Sequence, residues 1–264
     1  MSTAATDSSH FVPRFLLKGW RTREGAEDAW VFDPITGITA EVRFEDLCCE
    51  EDDAAVNDIW NDLVETPAFP VVRGLRTQTA PATKEWPALK EIEGLAPKTL
   101  DAFFHLFWSL RSRNPDTPRA WGGLTQREYV EQLKNPGPML PELIGKYRLA
   151  ALWLKPTAAS KFVLTDWTAF PLPPIRGCCV LCLPIDPQRA ILMVEKRISL
   201  NELRQTLALL PLGEVSHGSP ATKVLLPPEG MDNQQQRDAA VQLIKSNVPK
   251  WRPKIFTWAL QVVL

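Results

Sequence analysis

The sequence predicts an α+β fold, with a small N-terminal hairpin, a helical middle third and a mixed sheet built mainly from the second half. Three observations carry this. Apolar residues recur at helical spacing through the middle of the chain, and short, continuously apolar runs separated by proline-rich turns follow them. The 24 prolines predict many short elements, because each removes an N–H and fixes φ.

His10 to Trp20 reads as a short apolar segment in which Pro13 takes the first position of a helix, with Phe11, Phe15, Leu16 and Gly19 on one side. Two β-prone runs, Ala29 to Asp33 and Ile38 to Arg43, flank Pro34, Ile35, Thr36 and Gly37 and form a hairpin. Val56, Ile59, Trp60, Leu63 and Val64 mark a helix from Asp52 to about Val64, with an acidic first turn, which Pro67 and Pro70 kink or end. Residues 77–96 show little periodicity and read as an exposed loop or sub-domain linker.

Pro97 opens a central helix through Leu110, apolar nearly all round once Trp108 is counted. Gln126 to Lys134 is a short helix and Leu140 to Leu154 a third, with Leu143, Ile144, Tyr147 and Ala151 on one stripe. Lys161 to Asp166, Cys178 to Leu183 and Ala190 to Glu195 read as strands of a buried sheet. Ser199 and Glu202 have capping-box spacing and start a helix through Leu209. Asp232 to Ile244 gives a last helix and Ile255 to Leu264 a final strand.

A chain of 264 residues with 45% hydrophobic and 23% charged side chains can offset its ordering entropy by burial. One domain over residues 1–264 is expected, with residues 1–9 as a disordered tail. Met1 to Ser9 lacks a basic start and an apolar h-region, which points to the cytoplasm, and runs such as Phe103 to Leu110 are too short to span a bilayer. Lys and Arg total 30 against 31 acidic residues, so no global field draws nucleic acid or anionic lipid. Ten tryptophans against two tyrosines predict a core of indole rings, with Trp20, Trp30 and Trp60 packed near one another.

Cys179 and Cys182 have the spacing of a metal knuckle, and Cys48 with Cys49 would complete four ligands. Residues three apart on a strand point to opposite faces, however, so the thiols read as reduced packing groups and no metal or cofactor is expected. Of the three histidines, His105 sits in the central helix as a core residue bonded to a carbonyl, and His217 lies in a loop. Phosphate loops, nucleophile elbows and zinc-binding histidine pairs are absent from the sequence. Lys250, Trp251 and Arg252 interleave charge with an aromatic ring, a pattern that holds phosphates and stacks bases. The near-neutral net charge favours a solvated surface there instead.

His10, Phe11, Val12, Pro13, Arg14, Phe15, Leu16, Leu17, Lys18, Gly19 and Trp20 together resemble the opening motif of a mostly bacterial family known as domain of unknown function 4238. Trp30, Val31, Phe32, Asp33, Thr36 and Gly37 are similar to that family's hairpin block. Arg111 stands where its apolar helix ends, and Thr165 with Asp166 resembles a strand end, although Trp167 and Thr168 replace the family's Asn and Pro. The resemblance implies no activity. The leading expectation is a binding or regulatory domain with an unidentified protein partner, in a setting such as phage defence or toxin conflict suggested by analogy. The alternative is a metal-dependent hydrolase, most plausibly a nuclease. In it His10 serves as general base or metal ligand, Asp166 as carboxylate partner, and Arg111 holds a phosphoryl oxygen. In the structural alternative for His10, the ring donates to a nearby carbonyl and pins the N-terminal segment.

Overall fold

Backbone pairing begins almost at once. A computed structural model describes residues 6–10, 12–33, 36–112, 126–134, 145–155, 161–162, 164–165, 169–172, 175–209, 223–228, 233–235, 237–239 and 241–242. Strand β1 (Thr6–His10) runs antiparallel to Cys49–Asp53, with His10 opposite Cys49. Residues 6–9, expected in a disordered tail, therefore have a ladder partner. Their polar composition could not reveal it, because the partner lies about 40 residues away.

Helix α1 (Arg14–Leu17) and the 3-10 turn Lys18–Trp20 bury Phe15, Leu16, Leu17 and Trp20. Pro13 stands one place outside the helix, as its N-cap with ψ 134°, not at the first helical position. Its carbonyl accepts from the Leu16 and Leu17 N–H groups at 2.8 and 3.3 Å. The hairpin of β2 (Asp28–Phe32) and β3 (Thr39–Arg43) forms as expected. Asp33 Oδ1 accepts the Thr36 N–H at 3.1 Å, and Gly37 supplies a φ of +74° in the turn.

The next helix begins later than expected, because Cys49–Asp53 forms β4 and takes the acidic residues out of the first turn. It also runs further. Helix α2 (Ala54–Trp60) passes through a π turn (Asn61–Glu65) into α3 (Thr66–Thr77), with Pro67 in its first turn and Pro70 inside it. Proline is tolerated in a first turn, where the N–H has no intrahelical acceptor, and Pro70 lies on the exposed side of α3. Trp60 Nε1 donates across the π turn to Glu65 Oε1 at 2.8 Å.

Residues 77–96 are not wholly loop, since β5 (Ala88–Glu91) forms a sheet edge. Helix α4 (Pro97–Ser112) buries Phe103, Leu106, Phe107 and Leu110 and leaves Trp108 45% exposed, so its apolar face is narrower than the sequence indicates. Helix α5 (Gln126–Lys134) forms as expected. The expected helix over 140–154 is corrected, because Tyr147–Trp153 is strand β6. Its run from Leu149 to Trp153 is buried throughout and pairs with strands on both sides. Burial on every side erases the periodicity that separates strand from helix, and cross-strand pairing decides the outcome.

The strand expected over 161–166 is described only as the short β7 (Leu164–Thr165). Strands β8 (Phe170–Pro171), β9 (Val180–Asp186) and β10 (Arg189–Glu195) follow, then α6 (Leu200–Leu209) and β11 (Val224–Leu225). The Ser199 and Glu202 capping box is formed: the Glu202 N–H donates to Ser199 Oγ at 3.2 Å and the Ser199 N–H to Glu202 Oε2 at 3.1 Å. Helical turns at 234–235, 237–239 and 241–242 fall within the expected last helix. The expected strand over 255–264 lies outside the described residues.

The main sheet has the order β5-β6-β10-β9-β8, a second has β3-β2-β11-β7, and β1 pairs with β4 alone. Every pairing among the described strands is antiparallel, so the sheet expected to be mixed contains no parallel pair among them. One continuous apolar core joins α1, α3, α4 and the five-stranded sheet and includes Trp20 and Trp60. Trp30 lies outside it, half-buried, with the Arg237 guanidinium 4.6 Å from its ring centroid. That corrects the expected three-ring cluster: β2 turns Ala29 and Val31 inward, and alternation along a strand sends Trp30 to the other face. No helix among the described residues is long and apolar enough to cross a membrane.

Candidate functional site

The segment His10 to Trp20 and the end of the main sheet meet around one arginine. Arg76 lies in the last turn of α3. Its Nε donates to Ile185 O at 2.9 Å, Nη1 to Phe15 O at 2.6 Å and Nη2 to Leu16 O at 3.0 Å, with Nη2 also reaching Ile185 O. Ile185 can receive these bonds because β9 carries a bulge there. Arg189 pairs with Asp186 and Ala190 with Pro184, which leaves Ile185 without a register partner on β10. Gly19 fits against the same carbonyl, since a Cβ at that position would lie 2.0 Å from Ile185 O and 2.6 Å from Arg76 Nη2.

The β9–β10 turn places charge beside this clamp. Asp186, a buried polar residue, accepts from Arg189 Nη1 at 2.8 Å through Oδ2 and from the Gln188 N–H at 2.8 Å through Oδ1. Arg189 Nη2 reaches Gln78 O at 3.4 Å, just past the end of α3. Arg21, whose Nε donates to Lys18 O at 2.9 Å, adds a third guanidinium. Burial pulls the Arg76 pKa down to about 10; Asp186 opposes the shift, while Arg21 and Arg189 add to it by repulsion. Arg76 stays charged at neutral pH, beside the Arg189–Asp186 ion pair.

Two N–H groups at this sheet end have no acceptor among the described residues: Arg189 Nε and Trp153 Nε1. The residues that carry them stand directly opposite each other on β10 and β6, in one row with Asp186 on β9 and Ala88 on β5. Opposed residues of antiparallel strands project to the same face with Cβ atoms roughly 5 Å apart. A buried donor without an acceptor is costly, and Trp20 Nε1 and Arg148 Nε are in the same position elsewhere among the described residues.

Of the residues expected from the sequence, His10 is placed by the structure. Its Nε2 lies 2.7 Å from Phe44 O, and the ring is half-buried. Burial lowers its pKa, with the Phe44 carbonyl opposing and Arg14 reinforcing the shift. The bond is the anchoring geometry expected for a structural His10. Arg111 lies in the last turn of α4, but its side chain is outside the described residues, as are Asp166, Lys250, Trp251, Arg252 and His217. His105 is on α4, and burial pushes it down to about 4. None of Cys48, Cys49, Cys178, Cys179 and Cys182 is in a disulfide. The described residues contain no group of three or more His, Cys, Asp or Glu that would hold a metal.

His10→Ala is expected to cost about 1–3 kcal/mol at neutral pH, the price of leaving a partly buried carbonyl without its donor. Because folding lowers the His10 pKa, the unfolded chain binds the proton more tightly, and the stabilisation is lost as pH falls below the ordinary value of 6.5. His105 acts in the same direction, so the informative quantity is the difference between wild type and variant. Denaturant melts should show that difference shrinking from pH 7.5 to pH 5; a gap that is absent at pH 7.5 would remove the anchoring role.

Arg76, Asp186 and Arg189 were missed because no motif links them. The available signal was the Asp-Pro-Gln-Arg turn at 186–189, which sets a carboxylate and a guanidinium across a tight hairpin. Comparison of the chain with protein-family models, curated proteins and solved structures finds no match.

Proposed function

We propose that the chain is a binding or regulatory domain whose ligand is anionic and is received beside Asp186, where Arg189 pairs with it and Arg76 lies close by with Arg21 near Arg76. The observation that supports this is the excess of guanidinium over carboxylate in a partly buried place, beside donors that lack acceptors. Guanidinium is the side chain best matched to carboxylate and phosphate oxygens. The resemblance of His10 to Trp20 to a bacterial family favours a bacterial cytoplasmic setting, with phage defence or toxin conflict as its context. The hydrolase reading needs His10 as base or ligand, and the engagement of its Nε2 with Phe44 O favours the binding reading over it.

The test is thermal stabilisation by acetate, phosphate and sulfate at constant ionic strength, in wild type and Arg189→Gln. A ligand at a hundredfold its Kd stabilises by about 2.7 kcal/mol, which is roughly 5 °C or more for a chain of this size. At least one anion should produce such a shift in wild type and a much smaller one in the variant. Equal shifts in both proteins are a general salt effect and overturn the reading.

A further inference from the structure

We infer that the chain associates with a second copy of itself through the open edge of β3, the two β3 strands pairing antiparallel about a twofold axis at Val42. Strand β3 is the outer member of the β3-β2-β11-β7 sheet, and among the described strands β2 alone pairs with it. The direction of its backbone groups follows from the ladder. At one end of the hairpin the Phe44 N–H donates to Glu27 O at 2.8 Å, and at the other the Asp33 N–H donates to Ile38 O at 2.9 Å. With Asp28 opposite Arg43 and Phe32 opposite Thr39, alternation makes Ile38, Ala40, Val42 and Phe44 the residues bonded toward β2. Thr39, Glu41 and Arg43 therefore turn their N–H and C=O groups to the open edge.

The side chains of this strand are arranged for a neighbour. Ala40 and Val42 stand opposite Val31 and Ala29, which belong to the core, so Ile38, Ala40 and Val42 form an apolar row on the core side of the sheet. That row is left uncovered: Ile38 is 62% exposed, Ala40 is exposed and Val42 is half-buried. Edge strands that stay single are ordinarily guarded by a proline, a bulge or a charge on the apolar side. Strand β3 has none of these, since its register with β2 is unbroken and its charges, Glu41 and Arg43, lie on the other face.

Charge selects both the occupant and the register. Pairing two β3 edges about Val42 sets Glu41 of each copy opposite Arg43 of the other. Both positions have outward backbone groups, so these opposed residues also exchange the hydrogen bonds of the new ladder. The twofold axis supplies each charge contact and its backbone bonds twice, and the Val42 side chains meet across it on the apolar side. A pairing centred on Glu41 would instead oppose that carboxylate to its own copy, which is destabilising. Within one chain Glu41 pairs with Arg23 at 3.9 Å and Arg43 with Glu45 at 3.0 Å, exposed contacts that contribute little.

The experiment is sedimentation velocity of the full chain from about 1 μM to 1 mM, a span that reaches the weak complexes of small interfaces. Wild type should show a reversible monomer–dimer equilibrium. Glu41→Arg and Arg43→Glu each place like charges opposite each other at both repeats of the contact, and each should raise Kd by about tenfold or more. Mixed in equal amounts, the two variants should form a heterodimer within about threefold of wild-type affinity, because every arginine then faces a glutamate. Glu41→Pro removes an outward N–H and no bond to β2, so it should abolish association while circular dichroism and Tm report a folded monomer. A wild-type chain that stays monomeric over the whole series overturns the inference. So do single variants that associate as wild type does, which would place the interface elsewhere, and a mixture that associates no better than its components, which would exclude this register. The wild-type series and Glu41→Pro decide the matter even if a charge-reversed variant does not fold.

Discussion

Arg76→Ala is expected to destabilise the protein by about 3–5 kcal/mol, the range for breaking a buried charged hydrogen-bond network. The variant removes the donors to Ile185 O, Phe15 O and Leu16 O at once, and it leaves Asp186 with one fewer neighbouring cation. In a chain of this size the loss corresponds to a fall in Tm of roughly 6–20 °C. Arg76→Lys should recover less than half of it, because an ammonium is a point donor and cannot span carbonyls on two segments as the planar guanidinium does. A variant Tm within about 2 °C of wild type would mean that water or a shifted neighbour replaces all three bonds, and the clamp would have no energetic role.

Gly19→Ala should cost about 3 kcal/mol, toward the upper end for overpacking, although it adds one methyl group. The new Cβ would lie 2.0 Å from Ile185 O and 3.0 Å from Ile185 C, and these are backbone atoms of a strand in the main sheet. A flexible side chain could swing aside far more readily than strand backbone, even at a bulge. Either the Lys18–Trp20 turn lifts off the sheet, drawing the buried Trp20 with it, or β9 moves at its bulge. The same Cβ would press on Arg76 Nη2, so the two substitutions act on one junction. The double variant should therefore lose less than the sum of the singles, by about 1 kcal/mol or more. Full additivity in urea melts would show that Gly19 and Arg76 act independently.

Much of the local structure was legible. The hairpin over 28–43, the helix opening at Pro97, the helix Gln126–Lys134, the capping box at Ser199 and the two strands around 180–195 each carry a short-range signal: a turn residue, a cap or a continuous apolar run. The misread elements are those whose state depends on a distant partner. Tyr147–Trp153 has helix-compatible apolar spacing, yet it lies between β5 and β10. Thr6–His10 is polar but pairs with Cys49–Asp53.

The candidate site was less legible than the fold. His10 stood out through its motif, and its anchoring bond to Phe44 O is the geometry that the apolar surroundings of the motif led one to expect. Arg76 and Arg189 carried no such mark. An arginine in the last turn of a helix ordinarily serves the helix dipole, and one after a strand turn ordinarily pairs with a nearby carboxylate. Their joint role depends on a strand end that is distant from Arg76 in sequence.

Residue chemistry alone set the α+β class, the turns, the caps and the amphipathic faces, because turn geometry, capping and burial period are properties of a few neighbouring residues. The tertiary structure decided the bulge at Ile185, the reach of Arg76 across it, the close approach of Gly19 and the row that joins Trp153, Arg189 and Asp186. These arise where three segments far apart in sequence converge. The register that leaves the Ile185 carbonyl unpaired, or sets Trp153 opposite Arg189, is fixed by the packing of whole elements and has no local pattern to betray it.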